Sequence, residues 1–165
     1  MEISDHWATI RQLFGCAQEY SIATVNADGS PHVTPIGSVV LRENQTGYFF
    51  ERFTRTMPAN LDHNPRVCVM AVNASKCTFL RSLIIGKCAT PPAVRLMGTA
   101  GNRRLATEEE MARWNRRVRF VRWMKGYNLL WRDMRFVRDI VFDSFEPVSF
   151  GRMTSGLWNG QSADA

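Results

Sequence analysis

The sequence predicts a mainly β fold, a barrel or sandwich of six to seven antiparallel strands, Greek-key in type, with peripheral helices. Three observations carry this. Between residues 19 and 102, short apolar runs alternate with turn-forming residues at hairpin spacing. The length of 165 residues suits one hydrophobic core. A composition 45% hydrophobic and 11% aromatic excludes a disordered chain. One domain is expected over residues 1–158, followed by a disordered tail at 159–165.

The elements follow in order. The opening "MEISDHWATIRQ" is acidic and mixed, unlike a secretory signal. "YSIATVN" alternates as a strand, and "ADGS" is a tight turn. "PHVTPIGSVVLR" is its partner; Pro31 and Pro35 cannot donate to a ladder, so this strand lies at an edge, bulged or facing a ligand. "YFFER" is the third strand. Phe53, Met57 and Leu61 then mark one face of a two-turn helix, which Pro58 requires to start near Arg55 to Met57. "RVCVMAVN", "TFLRSLIIGKCAT" and "AVRLMGTAGN" complete six strands.

Beyond them, "TEEE" offers a capping threonine and three acids for the first turn of a longer helix. Met111, Trp114, Val118, Val121 and Met124 form its apolar stripe, and Gly126 ends or breaks it. "YNLLWRDMRFVR" is a second helix or a loop. "DIVFDSF" closes the fold as the seventh strand.

Composition excludes several classes. No apolar run reaches the roughly 18 residues that span a bilayer, so no membrane partner and a cytoplasmic location are expected. Cys16, Cys68, Cys77 and Cys88 contain no CxxC pair, and His6, His32 and His63 form no motif, so no metal site is predicted. Cys68 and Cys88 lie in strand-like runs and are expected to be buried thiols. The net charge of +6 is concentrated in residues 113–138, where basic and aromatic residues interleave. That pattern fits a solvated helix face, with a nucleic-acid surface the less favoured reading because Trp114 falls on the apolar stripe.

The chemistry concentrates in "RFTRTMPANL". A helix N-terminus presents unpaired N–H groups, and Arg52, Thr54, Arg55 and Thr56 can all donate to one anion. Equally, Thr54 or Thr56 caps the helix while the arginines are solvated.

Taken together, "ATVNADGSP", "NLDHNPRV", a later strand carrying Gly in "LIIGKCAT", a further strand "AVRLMGTAGN" and the helix at "TEEE" resemble the pyridoxamine 5'-phosphate oxidase-like family of FMN-binding split β-barrels. The resemblance covers roughly residues 10–110, and the closing strand from Asp139 to Phe145 fits as well. It implies a homodimer with FMN in clefts between the chains. It places the flavin ring along His32, Val33, Thr34, Pro35, Ile36 and Gly37. It places the phosphate at Arg52, Thr54, Arg55, Thr56 and Met57, with Asn60 on the same helix. Arg81 and Ser82 would come from the partner, on a strand around Phe79 to Leu83, and Trp158 or Arg152 would lie over the cofactor.

The chain departs from the vitamin B6 oxidases at several of these positions. Their phosphate-gripping Arg and Lys fall at about Thr34 and Val39, and their S-R-K turn becomes Arg55, Thr56 and Met57. The resemblance therefore implies an FMN-dependent oxidoreductase that is not a vitamin B6 oxidase, working with a small-molecule electron donor and acceptor. The alternative on the same barrel is a flavin, haem or deazaflavin binding protein, or a stress-related one. No side chain is assigned an acid–base role.

Overall fold

A computed structural model describes residues 2–17, 19–52, 54–73, 75–131 and 134–158. Its centre is one antiparallel sheet of seven strands: β1 (Glu19–Val25), β2 (Pro31–Pro35), β3 (Val40–Leu41), β4 (Thr46–Phe50), β5 (Arg66–Val72), β6 (Ala93–Leu105) and β7 (Phe136–Pro147). Their order is β2-β1-β5-β6-β7-β4-β3. The two edge strands are therefore consecutive in sequence, joined only by residues 36–39. Were the sheet flat, its edges would stand about 29 Å apart, whereas the chain from Pro35 to Val40 reaches at most about 18 Å. The sheet must curl until its edges approach, which makes a split barrel. β1 and β5 alternate outward and inward along their length, and Ile22, Phe49, Val69, Leu96 and Ile140 are fully buried in its centre.

The predicted edge is observed: among the described residues β2 pairs only with β1, from Ser21 opposite Pro35 to Val25 opposite Pro31. Its continuation "SVVLR" belongs instead to the other edge, as β3. Two one-residue bulges shape the long β6–β7 ribbon. In the first, Asp143 is the extra residue on β7, and its carboxylate pairs with Arg66 of β5. In the second, β6 gains a residue between Ala100 and Arg103.

Among the described residues, five α-helices surround the barrel: α1 (Ile3–Cys16), α2 (Thr56–His63), α3 (Lys76–Ile85), α4 (Glu108–Arg117) and α5 (Lys125–Leu130). The first was not anticipated. Ile3, Trp7, Ile10, Leu13 and Phe14 bury one face of it in the barrel core, but Glu2 at its start makes no side-chain cap. α2 starts at Thr56 with Pro58 in its first turn, as expected, and Met57 and Leu61 are buried; the expected role of Phe53 lies outside the described residues.

One predicted strand is corrected to a helix. "TFLRSLIIGKCAT" folds as α3, because Ser75 caps Thr78 N–H and Gly86 takes the left-handed conformation (φ 71°) that stops it. Its continuous apolar run has no period that separates strand from helix. Cys88 is buried as expected but lies in the loop after α3, and Cys68 of β5 is half-buried.

The helix after Thr107 is also shorter than its stripe. The Thr107–Glu110 capping box starts α4, but a 3-10 turn at Arg119–Val121 and then α5 replace its continuation. Trp114, Val118 and Tyr127 pack with Tyr48, Phe50 and Val137 as a second cluster. Met124 is exposed, and Gly126 lies inside α5 rather than at a helix end. The tail expected to be disordered falls among residues outside the description.

Candidate functional site

Where β4 runs into α2, a cleft of about 470 Å³ opens between the β4–α2 joint and the adjoining ends of β6 and β7. It is lined by Glu51, Arg52, Thr54, Arg55, Pro58, Arg103, Arg135 and Phe136. Four guanidinium groups face one carboxylate, and that carboxylate is already committed. Glu51 is buried and binds Arg138 through one oxygen and Arg103 through the other, at 3.3 Å. Arg138, with only 3% of its side chain exposed, also donates to Asp62 at 2.8 Å and to the Gly101 carbonyl at 3.3 Å. The cleft thus keeps a net positive character suited to an anion.

Neither threonine caps α2: the helix begins with no side-chain hydrogen bond to its first N–H groups. Thr54 Oγ1 is instead buried in the cleft wall with no hydrogen-bond partner among the described residues. An unsatisfied hydroxyl costs stability unless a ligand atom completes it. Thr56 is exposed at the helix start, Arg55 is exposed beside it, and Arg52 donates to the Leu129 carbonyl at 3.4 Å.

Other predicted residues lie apart from this group. Met57 is fully buried in the core. Asn60 is buried, donating to Thr24 Oγ1 at 3.1 Å and Asn26 Oδ1 at 2.8 Å, which ties α2 to β1. His32, Val33, Thr34 and Pro35 occupy the sheet edge, with Val33 60% exposed and Thr34 hydrogen-bonded to His32 at 3.1 Å. Ile36 is buried, while Gly37 is exposed on the crossover. That crossover adjoins the cleft: Ser38 Oγ accepts from Phe50 N–H at 3.1 Å, one residue before Glu51.

The remaining candidates belong to other surroundings. Arg81 and Ser82 sit on α3, not a strand, and line a separate hollow of about 710 Å³ with Thr9, Gln12 and Lys87. Trp158 is buried against His6 and Phe145, with ring centroids 5.7 and 5.3 Å away. Arg152 is exposed in a 3-10 turn. Among the described residues, no cluster of three metal-ligating side chains occurs, and none of the three histidines lines the cleft.

Sequence reading missed Glu51, Arg103, Arg135 and Phe136. They converge only through the β4–β7–β6 pairing, which no local motif announces.

A family model for pyridoxamine 5'-phosphate oxidase matches residues 7–140, and the chain belongs to that family. Solved structures agree on the fold. HupZ of Group A Streptococcus is 16% identical with a TM-score of 0.58, covering 87% of this chain and 94% of its own. HutZ, the haem storage protein of Vibrio cholerae, is 18% identical with a TM-score of 0.54, covering 85% and 92%. An F420 reductase is 14% identical with a TM-score of 0.56, covering 82% and 94%. At these identities the likeness shows the split barrel alone. No curated protein matches the chain.

Proposed function

We propose that the protein binds FMN and acts as a flavin-dependent oxidoreductase of this family, distinct from the vitamin B6 oxidases. The observation that carries the reading is the cationic cleft with its unsatisfied Thr54 hydroxyl, at the joint where the family resemblance puts the phosphate. The residues fit the group. Arg52 and Arg55 hold the phosphate with Thr54 Oγ1 and the first N–H groups of α2. The crossover at Ile36 and Gly37 borders the ring and helps exclude water. Bound FMN supplies the hydride or electron chemistry. The side chains bind and orient; none is asked to move a proton.

The dimer belongs to the same proposal. α3 exposes Phe79, Leu80, Leu83, Ile84 and Ile85, an apolar face of the kind that a second copy covers. A cytoplasmic location and a small-molecule electron donor complete the reading.

Purified protein should be yellow, or gain thermal stability with excess FMN. Replacing Arg55 with Ala should weaken FMN binding about tenfold or more; unchanged affinity would move the phosphate elsewhere. Anaerobic NADH or NADPH should bleach the loaded protein if it is an enzyme, and leave it yellow if it stores flavin. Haem binding in place of FMN would instead favour the kind of role that HutZ's name describes.

A further inference from the structure

We propose that Arg103 is a phosphate ligand of this cleft, held for that role by Glu51 and Phe136. From the β6–β7 border it adds to the charge of Arg52 and Arg55, in a chain that lacks the basic residues of the second strand and the lysine of the S-R-K turn. The inference rests on the FMN reading above and names the residues that would make it selective for a phosphate monoester.

The expected positions cannot supply the charge. Val39 and Met57 stand where relatives keep basic residues, and they are 2% and 0% exposed, inside the core. Thr34 is neutral and engaged with His32 on the sheet edge. Beyond Arg52 and Arg55 at the β4–α2 joint itself, an anion there therefore draws any further cation from elsewhere in the fold.

The β6–β7 ribbon provides them through an arrangement that otherwise disfavours itself. Arg103 and Arg138 are direct cross-strand partners, and like charges so placed repel. Buried Glu51 stands between them, one carboxylate oxygen to each. The two arginines then diverge. Arg138 is spent inward, on Glu51, Asp62 and the Gly101 carbonyl. Arg103 keeps 48% of its side chain exposed and meets Glu51 through Nε. Among the described residues, its two Nη groups donate no hydrogen bond.

Its guanidinium carbon lies 3.8 Å from the centroid of Phe136, so the aromatic face fixes the position of the plane. A guanidinium anchored at Nε and over a ring still offers the paired Nη donors that match phosphate oxygens. The extra residue in β6 between Ala100 and Arg103 sets the local register. From it, Arg103 enters the cleft while neighbouring Arg104 joins Glu110 and Asp139 elsewhere.

The test compares FMN with riboflavin, which lacks the phosphate, by equilibrium titration of the full chain and its variants. The unaltered protein should prefer FMN at least a hundredfold. Arg103→Ala should cut that preference tenfold or more with riboflavin affinity unchanged; Arg103→Lys should cut it less. Glu51→Gln should cut it severalfold, because Arg103 loses its anchor. Inorganic phosphate should compete with FMN on the unaltered protein and compete poorly on Arg103→Ala. A preference retained in Arg103→Ala, or an equal loss of both flavins, would overturn the proposal and leave Arg103 structural. If the unaltered protein binds neither flavin, the FMN reading itself fails, and this inference with it.

Discussion

At the scale of single residues, placement decides what each polar group can do. Asn60 looks like a site residue on sequence, sitting on the helix that begins at the arginine-rich joint. In the fold its amide is consumed by Thr24 and Asn26, so it positions α2 and has no donor to spare for a ligand. Thr54 shows the reverse, a buried hydroxyl left without a partner among the described residues. Gly98 is as constrained as either. A Cβ there would stand 2.4 Å from the Val141 carbonyl oxygen and 3.1 Å from Phe142 Cα, both backbone atoms at the first bulge. Backbone cannot swing aside, so Gly98→Ala should cost about 3 kcal/mol. Urea unfolding reads this directly; an unshifted midpoint would show that the ribbon relaxes freely.

At the scale of elements, α4 is held by electrostatics as well as by Trp114. Glu110 closes the capping box with Thr107 and binds Arg104 and Arg42, while Asp139 of β7 binds the same two arginines. Hydrogen bonding from Arg104 holds the Glu110 carboxyl down at about 2, against an ordinary 4.5. Because the folded state binds this proton more weakly than the unfolded chain, the stabilisation is complete above pH 4.5 and is lost as pH falls toward 2. Its ceiling is about 3 kcal/mol. Arg104 and Arg42 likewise lower Asp139, which adds to the same acid loss. Glu110→Gln keeps the cap and removes the charge. It should lower stability at pH 7 and flatten the decline below pH 4.5, measured by thermal melts across pH; a parallel decline would place the acid lability elsewhere.

Element type was legible wherever pattern and punctuation agreed. Pro31 and Pro35 mark an edge, Pro58 marks a helix start, and "TEEE" marks a cap; each stands where its chemistry puts it. α3 was not legible, because "TFLRSLII" is apolar without a period and its faces stay largely exposed. The site was half legible. Arg52, Thr54 and Arg55 lie within four residues of sequence and point to an anion, whereas Glu51 becomes meaningful only beside Arg103 and Arg138. That meeting depends on strand order and on a bulge that shifts register by one residue.

At the scale of the whole molecule, the closure of the sheet makes the site. Joining β2 to β3 through four residues brings the crossover against the end of β4, and the β6–β7 ribbon supplies the opposite wall. The exposed apolar face of α3 lies outside this closure. Ile84 is 79% exposed and Leu80 59%, so a double Leu80→Glu, Ile84→Glu variant should leave the barrel folded and shift the protein toward monomer. Light scattering after size-exclusion chromatography measures this, and an unchanged mass would contradict the proposed dimer contact through α3.

The central claim is that the arginine-lined cleft is built for the phosphate of a flavin nucleotide. Titrating the flavin-free protein into FMN, and separately into riboflavin, while following flavin fluorescence tests it most directly. Saturable quenching of FMN at one equivalent per chain, with far weaker quenching of riboflavin, is the expected result. Equal affinity for the two flavins, or no quenching of either, would contradict it.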